Sequence, residues 1–162
     1  MLGVSTAKTT YAAGTIDYET TIRITEDGEG LYFGNNDANK KRAASLQAVF
    51  DEIDANLGQG SGKNPEIEFV NITTDNRITL DYPRIFVLTG SVLYTGASDT
   101  SFITVKRGTL YTSAGDFKSE KANLVKINVG AKLETSGHFA VNGAIGTQNV
   151  STIRNDGGTV VM

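Results

Sequence analysis

From residue 15 onward apolar and polar positions alternate: Ile16, Tyr18, Ile22 and Ile24 fall at even positions of TIDYETTIRI, the period of a strand with one buried face. The segment TEDGEG then turns the chain. Asp27-Gly28 and Gly30 supply the positive φ values a tight hairpin requires, and Leu31, Tyr32 and Phe33 begin a return strand that ends at Gly34. The period changes after that. Leu46, Val49, Phe50, Ile53 and Leu57, at steps of 3, 1, 3 and 4, form one apolar stripe and predict a helix over Ala38 to Leu57. Asn36 or Asp37 is its expected N-cap and Gly58 its expected end. In that reading Lys40, Lys41 and Arg42 occupy the positive end and Asp51, Glu52 and Asp54 lie toward the negative end, an order that opposes the macrodipole by a few tenths of a kcal/mol per group, roughly. A charged partner or a solvated face would account for it. The narrow stripe suits a helix buried in a core or packed on copies of itself, so Leu46, Val49, Phe50, Ile53 and Leu57 are assigned to a subunit interface or the core.

GQGSGKNP, from Gly58 to Pro65, reads as a Gly/Ser linker closed by proline. Beyond it short apolar dyads recur: Val70/Ile72, Ile78/Leu80, Ile85/Val87, Val92/Tyr94, Ile103/Val105, Val125/Ile127 and Phe139/Val141, with Val160/Val161 at the end. A longer echo overlies them. LYTGA (Leu93 to Ala97), LYTSA (Leu110 to Ala114) and LETSG (Leu133 to Gly137) start 17 and 23 residues apart, with GTVV (Gly158 to Val161) as a degenerate last copy. Short strands repeating about every 20 residues predict a stacked β-solenoid in which each coil buries its apolar side against its neighbours. The alternative is a β-sandwich, which also carries many short strands. The fold class expected is therefore mainly β: an N-terminal hairpin and one helix (1–57), a linker (58–65) and a small β-solenoid or β-helix domain (66–162).

Composition sharpens this reading. Thr 20, Gly 18, Asn 12 and Ser 10 make a turn-rich, strand-tolerant chain of 162 residues, with 7 Phe, 6 Tyr and no Trp for a lean core. The absence of Cys excludes disulfides and thiol chemistry, and the single His138 excludes a His-pair metal site. The net charge of −3 argues against nucleic acid. It is unevenly spread: residues 1–100 carry 8 basic and 14 acidic groups, residues 101–162 carry 7 and 4. No export signal and no apolar run of membrane-spanning length is expected from the pattern.

Candidate chemistry is sparse. Ser136 and His138 lie close in sequence, but no nearby Asp completes a relay, so His138 is expected on the surface. Glu26, Asp27 and Glu29, and again Asp51, Glu52 and Asp54, cluster without the ligand spacing of a calcium loop. Asp75, Asp81, Asp99, Asp116, Glu120, Glu134 and Asp156 stand singly, where a polysaccharide-cleaving solenoid would need two acids meeting in a groove. Tyr94 and Tyr111 are the aromatic candidates for a glycan platform, and Asn71 and Asn149 begin sequon-like triplets. No cofactor or metal is expected.

A short β/helical head, a Gly/Ser hinge and a Cys-free Thr/Asn/Gly-rich solenoid with the LYTGA, LYTSA and LETSG echo resemble virion structural proteins of tailed bacteriophages, namely head decoration (cement) proteins and short tail-fibre pieces. The resemblance implies a non-enzymatic homotrimer on the virion surface, assembled in the host cytoplasm and bound to the major capsid or a tail protein, with no membrane or nucleic-acid partner. The alternative is a tail-fibre or carbohydrate-binding adhesin with a surface glycan as ligand. In this reading Leu2, Val4, Tyr11, Ile16 and Tyr18 make the particle attachment.

Overall fold

The computed structural model describes residues 14–58, 63–141 and 152–162. The alternation at the N-terminus forms a hairpin of β1 (Ile22–Asp27) and β2 (Gly30–Gly34), to which a three-residue β3 (Lys41–Ala43) adds antiparallel. The helix α1 (Leu46–Leu57) follows, and then β4 (Glu66–Thr74), β5 (Ile78–Tyr94), β6 (Ser101–Ser119), β7 (Asn123–Asn128), β8 (Lys132–Thr135), β9 (His138–Val141), β10 (Ile153–Asp156) and β11 (Thr159–Val161).

The fold is a β-solenoid, as the stacking pattern requires. From β4 onward every strand pairs in parallel with the one a coil earlier. Three faces result. The first stacks residues 78–80, 103–105, 125–127 and 153–155; the second stacks 86–88, 110–112, 133–135 and 160–161; the third stacks 72–74, 92–94, 117–119 and 139–141. The long strands β5 and β6 cross corners between faces, where the register shifts between Asp81 and Ile85 and between Leu88 and Gly90. Asn71, at φ 51°, and Gly90, at φ 91°, take the left-handed conformation that such corners demand, which Asn and Gly tolerate best.

Stacking turns the sequence dyads into ladders of like residues. Phe86, Leu110, Leu133 and Val160 lie in register on four successive levels, at steps of 24, 23 and 27 residues. Ile78, Ile103, Val125 and Ile153 do the same on the first face, and Ile72, Val92, Phe117 and Phe139 on the third. Phe69 bridges the layers, its ring 6.1 Å from both Phe102 and Phe117, while Phe117 stacks on Phe139 at 5.3 Å. Each fully buried Phe contributes about 1.5–3 kcal/mol by leaving water.

The echo that suggested the coils is half in register. Leu110-Tyr111-Thr112 lies directly against Leu133-Glu134-Thr135, and Val160 continues the Leu column. LYTGA does not belong to that stack: Leu93 is on the third face between Thr73 and Lys118, so its likeness to LYTSA is not structural equivalence.

The helix starts eight residues later than the pattern suggested. The stripe has no member before Leu46, and Asn side chains take the backbone donors upstream instead: Asn36 Oδ1 accepts from Ala38 N, and Asn39 Oδ1 from Asn35 N and Asn36 N. Ser45, not Asn36 or Asp37, is the N-cap, its hydroxyl accepting from Ala48 N at 3.1 Å. Lys41 and Arg42 are in β3, so no cationic run meets the helix's positive end. Gly58 closes the helix as expected, its N–H on Asp54 O.

The segments on either side of 58–65 share one sheet and one core. β1 pairs in parallel with β4, Ile22 against Ile67 and Ile24 against Phe69, and the Phe50 ring is 5.3 Å from Phe86 and 6.5 Å from Phe69. Residues 14–57 thus share the sheet and core of the solenoid as its end-piece. Its three topmost strand edges are each closed differently. β1 covers the second face; Glu26 Oε1 accepts from Thr73 N on the third at 2.6 Å. On the first face α1 lies where a strand would be. The Gln47 amide takes the strand's place, accepting from Thr79 N at 2.6 Å and donating to Thr79 O at 3.0 Å.

Candidate functional site

The acidic residues of α1, which in sequence looked available to a cation or a charged partner, each meet a group of the same chain. Asp51 accepts from the Tyr82 hydroxyl, and Glu52 accepts from the Tyr18 hydroxyl and pairs with Lys41. Asp54 holds Arg84 at 2.5 Å, and the same guanidinium donates to Gly58 O at 2.8 Å. Burial first, and then these carboxylate neighbours, raise the Tyr18 and Tyr82 phenols well above their ordinary range. The row is a clamp that ties the helix to β3, β5 and the N-terminal turn.

The attachment residues assigned from sequence fall differently. Ile16 is 7% exposed and belongs to the core, and Tyr18 is half-buried on Glu52; both precede β1 in a turn that folds against the helix, so the strand expected from residue 15 begins only at Ile22. Leu2, Val4 and Tyr11 lie outside the described residues. Leu46, Val49, Phe50 and Ile53 are fully covered within the single chain and Leu57 is partly buried against them. Side chains already covered by their own chain cannot form a subunit interface.

The second acidic cluster lines a shallow groove of about 380 Å³ at the capped end, between Glu26, Asp27, Leu31, Thr73, Asp75 and Asn76. Glu26 is engaged on Thr73 N, and Asp27 Oδ1 accepts from Glu29 N and Gly30 N to hold the hairpin turn. Among the described residues no three His or carboxylate side chains converge on one point as a metal would require.

On the third face stacking brings together what the sequence keeps apart. Ser91, Asp116 and His138 share one outward column; His138 Nδ1 is 3.0 Å from Asp116 Oδ1, and Lys118 Nζ is 2.8 Å from Asp116 Oδ2. Lys118 and then His138 hold the Asp116 carboxyl below the usual carboxylate range. The order is wrong for nucleophilic catalysis: the carboxylate lies between hydroxyl and imidazole, so His138 has no path to the Ser91 proton. Ser136, the sequence neighbour, donates to Ser113 O instead.

The first face carries the basic column Lys126–Arg154. Arg154 Nε at 3.0 Å and Lys126 Nζ at 3.2 Å both meet Asp156, and these two cations, Arg154 foremost, lower its pKa. Beside them a cleft of about 380 Å³ opens among Lys106, Lys126, Asn128, Val129 and Asp156. Asp81 pairs with Arg107 and Glu134 with Lys132 in the same manner. Asp116 and Asp156, whose pKa values these neighbours lower, stay ionised rather than ready to donate a proton.

Of the two aromatic candidates for a glycan platform, Tyr94 is fully buried, its hydroxyl on Thr100 Oγ1 at 2.8 Å and its ring 5.2 Å from Phe102. Tyr111 alone faces outward, half-exposed, between Val87 and Glu134 on the second face. Among the described residues no helix is long and apolar enough to cross a membrane. No protein-family model, no curated protein and no solved structure matches this chain.

Proposed function

We propose that this chain is a non-enzymatic structural subunit of a larger particle, of the kind that the resemblance to tailed-phage decoration and tail-fibre proteins implies. The observation that supports the reading is that, among the described residues, one apolar core runs from Ile16 and the helix through the coils to Leu133 and Val160, so they form a single continuous body. Such a body transmits load between whatever holds its ends. Copies pack side by side in threes through the outward faces, since the helix stripe is internal. Attachment falls to residues 1–12.

Co-sedimentation with purified heads and with tails of a tailed phage from the same source tests this. The full chain is expected to pellet with one of them, and a chain lacking residues 1–12 to stay in the supernatant with an unchanged circular dichroism spectrum. Binding by neither form, or equal binding by both, overturns the assignment. The copy number is read by light scattering as a multiple of three at 17.2 kDa each.

A further inference from the structure

The two ends of the solenoid are unlike. At the N-terminal end β1, Gln47 and Glu26 cover the edges of the first coil, and the outermost described strand β3 is only three residues long and carries Lys41 and Arg42. At the other end β9, β10 and β11 each pair on one side only among the described strands, with β6, β7 and β8, and of the three only β10, Ile-Arg-Asn-Asp, carries charges of both signs at its open edge.

The polarity of that open edge follows from the hydrogen bonds. Thr152 O accepts from Val125 N, so Thr152 directs its main-chain groups at β7. Alternation gives Arg154 and Asp156 the same direction and points the N–H and C=O of Ile153 and Asn155 outward. The Arg154 and Asp156 side chains lie on the exposed outer face, linked at 3.0 Å.

We infer that a second copy of this chain pairs with β10, antiparallel and centred on Asn155. In that register the two Asn155 residues exchange both main-chain hydrogen bonds, and Arg154 of each copy stands directly opposite Asp156 of the other. Four residues reading Ile-Arg-Asn-Asp are thus self-complementary in charge about their third member. The contact is isologous and closes after two copies, and the far end offers head-to-tail growth only the three-residue, cationic β3. The inference is independent of the particle attachment proposed above; it doubles whatever number of copies packs side by side.

Light scattering on the purified full chain tests it with two charge reversals. Arg154→Glu places like charges opposite Asp156, and Asp156→Lys places them opposite Arg154; each is expected to halve the mass of the unaltered protein. Mixing the two variants puts Glu opposite Lys and Arg opposite Asp, and the mass is expected to return to the full value. Equal masses for the unaltered protein and Arg154→Glu, or no recovery on mixing, overturn the inference. A readout without substitutions guards against misfolding: the Asn155 amide is expected to gain hydrogen-exchange protection as protein concentration rises, while Arg154, bonded within the chain, stays constant. An Asn155 amide that exchanges at one rate at all concentrations overturns the inference equally.

Discussion

Gln47 stands in for a missing strand, and its removal measures what closing one edge is worth. Its amide accepts from Thr79 N at 2.6 Å and reaches Thr79 O at 3.0 Å, Tyr82 Oη at 3.0 Å and Asp51 Oδ1 at 3.1 Å. In Gln47→Ala the last two contacts matter little, because Tyr82 and Asp51 keep each other. The Thr79 pair is lost outright. At about 0.5–1.5 kcal/mol net for each hydrogen bond this is about 1–3 kcal/mol, and alanine's better helix propensity returns only a few tenths, roughly. Urea unfolding followed by far-ultraviolet circular dichroism should show a loss of about 2 kcal/mol with an unchanged m value. A loss under about 0.5 kcal/mol, the range of ordinary surface changes, would refute the edge-closing role. Gln47→Glu sharpens the test. The carboxylate still accepts from Thr79 N but faces the Thr79 carbonyl and Asp51 with no proton between them. Folding therefore raises its pKa above the unfolded value of about 4.3. The penalty is complete above the folded pKa and vanishes below about pH 4.3, so the gap to the parent protein should narrow on acidification. A gap constant from pH 7 to pH 4 contradicts the reasoning.

The remaining predictions concern the corner and the clamp. Gly90→Ala forces a β-carbon into the Phe69 backbone at φ 91° and should lower the melting temperature by about 5 °C or more, while Gly28→Ala, with open space around it, should leave it nearly unchanged. Tyr18 and Tyr82 should ionise later than free tyrosine in an ultraviolet titration, and Tyr18→Phe and Tyr82→Phe should each remove one late phenol. Their folded pKa values lie above the unfolded one, so the stability they contribute is intact below about pH 10 and falls as pH rises beyond it.

How legible this molecule is from sequence depends on the range of the interaction. Alternation and the Leu110/Leu133 likeness carried the solenoid, because stacked coils repeat their inward residues. LYTGA misled because three faces of similar length share one composition, and only register distinguishes Leu93 from Leu110. The helix start was missed where Asn side chains compete for backbone donors, a choice decided by pairing of Lys41–Ala43 with β2. The Asp116–His138 contact and the Gln47–Thr79 exchange join residues 22 and 32 apart, and no local pattern marks them. The burial of Ile16 and Tyr18 was hidden for the same reason: they lie in a turn before β1, and the contact that covers Tyr18, Glu52 of the helix, is 34 residues away.

The closure at one end also orders the protein in time. β1 completes its pairing only with β4, and α1 packs only on β5, so the cap formed by residues 14–57 is complete only once the chain to about residue 94 has left the ribosome. From there each further coil of 22 to 28 residues finds a finished template directly above it. At about 5–20 residues per second a new coil emerges every one to five seconds, roughly, long compared with the closing of a loop that size. Such stacking lets the solenoid extend in the direction of synthesis, each coil adding to the one before it once the cap and first coil have closed on each other.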